Sequence, residues 1–147
     1  MKLITRDTDY ALRALCFIAK DKNRFNSTMR LARSLKIPRP FLRQILQVLS
    51  RSNILKSYKG NMGGFLLNKD PKKVFLSEII NIFQGPFILN ECSLNKHPCP
   101  NIKSCVLRKK ISKIEEYVLK EIKSITLDSL MRGKIEKKEA EDVLLSV

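Results

Sequence analysis

The stretch from Thr28 to Leu49 constrains this chain more than any other. Met29, Ala32 and Leu35 share one side of a short helix, with Thr28 as its expected cap, and Lys36-Ile37-Pro38 stops it. Leu42, Ile45, Leu46 and Leu49 then recur at i, i+3, i+4 and i+7. They define a second helix beginning around Pro40, a residue suited to a first turn because an N–H there would lack a partner anyway. Two short helices joined by so tight a turn predict a helix-turn-helix. Arg39, Arg43, Gln44 and Gln47 fall off the apolar stripe near the N-terminal half of the second helix. An arginine fork donates to guanine O6 and N7, and a glutamine carboxamide both donates and accepts at adenine, so these side chains suit base edges in a major groove. A solvated polar face is the plainer reading of the same spacing, and the segment immediately downstream weighs against it.

Ile54–Tyr58 and Phe65–Leu67 read as two strands flanking Lys59-Gly60-Asn61-Met62-Gly63-Gly64, a turn rich in residues that tolerate positive φ. The expected hairpin places Lys56, Lys59 and Gly60 at a cationic wing, able to lie along a DNA backbone or enter a minor groove. With Thr28, these complete the candidate DNA contacts. Gly60-x-x-Gly63-Gly64 lacks the following Lys-Ser/Thr of a phosphate loop and sits in a hairpin, which argues against a nucleotide site.

Around this module, Ala11, Ala14, Leu15 and Ile18, widened by Leu12, Cys16 and Ala19, predict a buried first helix. Thr5, Asp7 and Thr8 can cap it, and Asp9 suits the positive end of its dipole. Ser77 is the expected cap of a helix carrying Ile79, Ile80, Ile82 and Phe83, ended by Gly85-Pro86. Leu107, Ile111, Ile114, Val118, Ile122 and Ile125 follow at steps of four, three, four, four and three, near a coiled-coil period, predicting one helix from Val106 to Ile125 that pairs two copies. Thr126 caps a last short turn. The expected fold is mainly α with a small β-hairpin wing: a winged helix-turn-helix at 1–85, a cysteine-bearing loop at 86–105, a dimerisation helix at 106–131 and a charged, mobile tail at 132–147.

Charge points to the same partner. Twenty-nine Lys plus Arg stand against fourteen Asp plus Glu, a net charge of +15, as expected of a chain that neutralises phosphates. A solvated basic surface or a lipid-headgroup binder are the alternatives. One histidine, His97, and the absence of a Ser/His/Asp grouping argue against an enzyme, and no small-molecule substrate is expected. No apolar run approaches the roughly 18 residues needed to cross a bilayer, so a cytoplasmic protein without membrane contact is expected.

Three of the four cysteines, Cys92, Cys99 and Cys105, fall in the loop with spacing C-x6-C-x5-C, while Cys16 reads as a core thiol. Three cysteines cannot all pair within one loop, and the close C-x2-4-C pairs of most zinc sites are absent. The longer gaps suit an iron-sulfur cluster, whose protein ligands need not all be cysteine, with His97 a candidate fourth; zinc or a thiol switch remain open on chemistry alone.

These blocks resemble the Rrf2 family of winged helix-turn-helix transcription regulators, in particular its iron-sulfur members of the IscR, NsrR and RirA kind. The resemblance covers about residues 1 to 131. It rests on Thr8-Asp9-Tyr10-Ala11-Leu12-Arg13, Ile37-Pro38, Phe41-Leu42-x-Gln44-Ile45-Leu46 and Lys59-Gly60-x-x-Gly63-Gly64-Phe65. Leu76-x-Glu78-Ile79-Ile80, the cysteine triad and Thr126-Leu127-x-x-Leu130 complete it. It implies a homodimer on pseudo-palindromic double-stranded promoter DNA, with a 2Fe–2S or 4Fe–4S cluster on Cys92, Cys99 and Cys105 adjusting affinity, most naturally as a repressor answering nitric oxide, iron or redox state. The IscR-like branch uses a histidine three residues after the last cysteine, where this chain has Arg108. The NsrR-like branch uses an aspartate from the partner subunit's first helix, which Asp9 matches, so the resemblance favours Asp9 over His97. Lys59 departs from the arginine of many relatives, implying a less bidentate wing contact. A cluster-free thiol-redox or zinc-stabilised regulator, for example of cysteine or sulfur metabolism, is the alternative.

Overall fold

Small residues on the first helix, α1 (Arg6–Lys20), let neighbours approach it closely: Ala11, Ala14 and Ala19 are buried beside Leu15 and Ile18. In the computed structural model, which describes residues 2–93 and 99–133, α1 is the central post of the core. Around it pack α2 (Thr28–Leu35), α3 (Arg39–Arg51), the hairpin strand β2 (Gly64–Leu67), α4 (Leu76–Gln84) and α6 (Leu127–Arg132), while the partner strand β1 (Leu55–Tyr58) packs on α3. The long helix α5 (Val106–Ser124) packs on α4. Short 3-10 turns occupy Pro71–Lys73 and Glu91–Ser93. The winged helix-turn-helix with its long helix is therefore present as expected. His97 and the tail from 134 onward lie outside the described residues.

The predicted stripe of α3 is buried as expected: Leu42, Ile45, Leu46 and Leu49 all lie in the core. Lys36 closes α2 in the left-handed region at φ 54°, and Pro38 precedes α3 with Pro40 inside its first turn. Two caps differ from the expectation. Ser27, not Thr28, caps α2, its hydroxyl oxygen accepting from the Arg30 amide at 3.2 Å. The preceding Asn26 exchanges backbone hydrogen bonds with Phe65 of β2 at 3.0 and 3.1 Å, which ends the extended chain there and starts the helix one residue early. Ser77 lies within α4, whose N-cap position is Phe75; a backbone bridge to Thr126 holds Phe75 extended. Thr126 caps α6 as expected, in a reciprocal pair with Ser129.

The hairpin pairs Leu55 with Leu67 and Tyr58 with Gly64. Gly60 turns it at φ 112°, in the region that favours glycine. Gly64 has a different reason to be glycine, since a Cβ there would stand 2.6 Å from the Asn26 carbonyl oxygen and 2.7 Å from its carbon. Backbone cannot yield as a side-chain tip can. Gly64→Ala is expected to cost about 1–3 kcal/mol in urea unfolding, the range for overpacking, and to loosen the wing from α2.

At the far end the chain returns to the core. The Leu76 amide donates to the Ile125 carbonyl at 2.9 Å, the Leu127 amide donates to Val74 at 2.8 Å, and Leu127 is buried with α1. The apolar stripe of α5 is consequently divided. Ile122 is buried where α5 meets α4, whereas Leu107 (69%) and Ile114 (51%) stay exposed.

Candidate DNA-reading surface and cysteine segment

Burial of one face of α3 forces the other outward. Arg39, Arg43, Gln44 and Gln47 are all exposed, as are Lys56, Lys59 and Gly60 on the hairpin, while Thr28 is half-buried in the first turn of α2. The cationic hairpin also has aromatic support that sequence patterns do not reveal. The Lys56 ammonium lies 5.3 Å from the Tyr58 ring centroid, and Tyr58 meets Phe25 edge-to-face at 4.5 Å. The neighbouring Tyr58 hydroxyl holds the Lys56 ammonium above its ordinary pKa. The hairpin is fastened to α2 through fully buried Asn26, whose side-chain oxygen accepts from Arg30 at 3.0 Å and whose amide donates to the Arg24 carbonyl at 3.0 Å. A lone Asn in a polar linker carries no periodic signal, so the sequence gives no hint of this fastening.

All four cysteines are free thiols. Cys16 packs against the core, and burial pushes its thiol pKa up, with Lys20 partly opposing, as suits an inert structural thiol. Cys92 is half-buried on the Glu91–Ser93 turn, where its amide donates to the Asn90 side chain at 2.9 Å; Cys99 is exposed. Cys105 is the N-cap of α5, its sulfur accepting from the Arg108 amide at 3.4 Å. Arg108, three residues after the last cysteine of the triad, donates to the Ile102 carbonyl at 3.1 Å and braces the segment. At the other end the Leu89 amide donates to Glu115 of α5 at 2.7 Å. The segment is thus fastened to α5 at both ends. Asp9 is on α1, half-exposed in an open cleft of about 550 Å³ that it lines with Arg6, Arg13, Lys2 and Lys36, and it pairs with Arg13 at 2.9 Å. Within one chain, among the described residues, no three His, Cys, Asp or Glu side chains gather closely enough to hold a metal ion. The structure therefore places the candidate DNA contacts on α2, α3 and the hairpin, but it does not bring Cys92, Cys99, Cys105 and Asp9 together within one chain.

A helix-turn-helix with an exposed Arg/Gln face, followed at once by a cationic hairpin, defines a winged-helix DNA-binding regulator. The particular family follows from comparison: the chain belongs to the Rrf2 family, described as an iron-dependent transcriptional regulator, whose model matches residues 4–133. It is 32% identical over 124 residues to an HTH-type transcriptional regulator of Aquifex aeolicus (83% of this chain, 86% of that protein). It is 26% identical over 136 residues to the HTH-type transcriptional regulator NsrR of Bacillus subtilis (91% of this chain, 92% of that protein). In fold it is similar to CymR, the global cysteine regulator of B. subtilis, with TM-score 0.72 and 22% identity over 92% of this chain and 100% of that one. T. potens IscR is similar with TM-score 0.65 and 24% identity over 98% and 96% of the two chains. No helix among the described residues is long and apolar enough to cross a membrane.

Proposed function

We propose that this regulator is a homodimeric promoter-binding repressor whose affinity for double-stranded DNA is set by an iron-sulfur cluster on Cys92, Cys99 and Cys105, with Asp9 of the partner subunit as fourth ligand. The observation that carries the reading is the attachment of the cysteine segment to α5 at both ends, through Leu89–Glu115 and the Cys105 cap. The donor chemistry fits: three free thiols lie within one segment, and a partly exposed carboxylate, held by a solvent-exposed ion pair with Arg13, stands on another element. When bound, such a cluster supplies redox- and nitric-oxide-sensitive iron–thiolate bonds.

The chain's own residues do the rest. Cys105 places a ligand at the first turn of α5, where negative charge faces the positive helix end. Val106 (68%), Leu107, Ile114 and Tyr117 (51%) offer α5 an open apolar face for a second copy. A segment drawn toward the partner's α1 pulls on α5 through Glu115 and Cys105, and the spacing of the two α3 helices follows the subunit geometry. The proposed division of labour is 1–85 for DNA, 86–105 for the cluster and 106–131 for pairing.

A second reading, a cluster-free thiol-redox or zinc-stabilised regulator, is favoured by one observation: the fold is similar to that of CymR, the global cysteine regulator of B. subtilis. Anaerobic purification with a visible spectrum and counts of iron, acid-labile sulfide and zinc separates the two. The expected result is cluster absorption with matching iron and sulfide, lost or altered in Asp9→Ala. A colourless, iron-free protein after anaerobic reconstitution with ferrous iron and sulfide would leave only the DNA-binding half of the proposal.

A further inference from the structure

The first turn of α1 is pinned by a residue of another helix. Thr5 occupies its N-cap position, yet its hydroxyl bonds no backbone N–H of the helix and meets it only at the Thr8 hydroxyl, 3.1 Å away. The side-chain oxygen of Gln84, the last residue of α4, accepts from the Thr5 amide at 3.0 Å, the Thr5 hydroxyl at 3.3 Å and the Thr8 hydroxyl at 2.6 Å. The Gln84 amide group donates in turn to the Leu3 carbonyl at 3.3 Å. Thr8 is fully buried and immediately precedes Asp9, whose own amide donates to the Thr5 carbonyl at 3.0 Å. The Asp9 carboxylate itself pairs with Arg13, a solvent-exposed contact that holds it weakly, so its position follows chiefly from where the backbone of the first turn is fixed. On its other side Gln84 runs directly into Gly85-Pro86, where the chain leaves α4 for the cysteine segment.

We propose that Gln84 is a positioning residue for Asp9: it fixes the start of α1 to the root of the cysteine segment, and so sets where the Asp9 carboxylate is presented to the partner subunit. This rests on the ligand set proposed above. A carboxylate at position 84 keeps the three-donor acceptor and loses the contact to Leu3, whereas a thioether of similar length keeps neither. Gln84→Glu and Gln84→Met therefore separate hydrogen bonding from volume.

Two measurements on the full chain test it. In the metal-free protein, amide hydrogen exchange of Asp9 and Tyr10 is expected to quicken at least about tenfold in Gln84→Met and stay near wild type in Gln84→Glu, with Leu46 and Leu49 of α3 protected in both. In protein reconstituted anaerobically with ferrous iron and sulfide, Gln84→Met is expected to retain as little cluster absorption as Asp9→Ala, or where both load to bleach in air as fast, and the double variant to be no worse than either, the non-additivity of groups acting through one another. Unchanged exchange in Gln84→Met would overturn the pinning. Additive bleaching would overturn its action through Asp9. Altered exchange beside wild-type bleaching in Asp9→Ala would overturn the ligand role of Asp9 itself, and the positioning role with it, while leaving the pin to α1 standing.

Discussion

Arg43→Ala combined with Gln47→Ala is expected to lower affinity for the specific operator at least about hundredfold, while binding to unrelated duplex falls far less. Each good bidentate contact to a base edge discriminates by about 1–3 kcal/mol, and 1.4 kcal/mol is a factor of about ten. Both side chains are exposed on α3 and off its buried stripe, so the fold bears little of the loss, within about 0.5 kcal/mol for ordinary surface positions. The measurement is fluorescence anisotropy at one fixed salt concentration, on the duplex recovered by selection from a random-sequence library and on a scrambled duplex. Equal losses on both would make Arg43 and Gln47 backbone contacts. No loss on either would remove α3 as the reading element and favour a protein-interaction role for this face. Salt titration gives an independent check, because phosphate neutralisation by the cationic hairpin predicts a steep negative slope of log affinity on log salt in wild type and variant alike.

The helix-turn-helix was legible because it is a local object. Leu42, Ile45, Leu46 and Leu49 state a helical face by spacing alone, and the polar residues between them must then face outward. Legibility failed where a residue's role is decided by something distant in the chain. Ser27 and Thr28 are both sound caps by type, and the choice between them is made by Asn26 pairing with Phe65. Phe75 displaces Ser77 as the start of α4 because Thr126 holds it extended. The stripe on α5 reads as one uniform seam, yet Ile122 turns to the protein's own α4 while Leu107 and Ile114 remain open, a division that no spacing records. Gln84 offers no signal at all: its partners Thr5 and Thr8 are 79 and 76 positions away. The cysteine pattern is the intermediate case. Its spacing offers three candidate ligands, yet among the described residues of one chain no three His, Cys, Asp or Glu side chains gather closely enough to hold a metal ion.

Cys99→Ala carries the second large effect, and it tests the chemistry of the segment without disturbing the fold. Cys99 is exposed, and its backbone carbonyl, which accepts from the Ile102 amide at 3.0 Å, is unaffected by loss of the sulfur. Wild type is expected to differ at least about tenfold in promoter affinity between anaerobic and air-exposed preparations, a shift of about 1.4 kcal/mol. In Cys99→Ala that difference is expected to vanish, with one affinity in both preparations equal to that of air-exposed wild type. Such a result ties DNA binding to the ligand set, since an exposed side chain has no packing route to α3. If Cys99→Ala instead matches wild type in each preparation, Cys99 is not a ligand and the cluster-dependent reading fails. A third pattern is diagnostic of the rival: air sensitivity lost in Cys99→Ala while wild type contains no iron and recovers fully with a thiol reductant. Oxidation of the thiols themselves would then be the signal, and the coupling through Glu115 and Cys105 to α5 would serve a disulfide or sulfenic acid as readily as it serves a cluster.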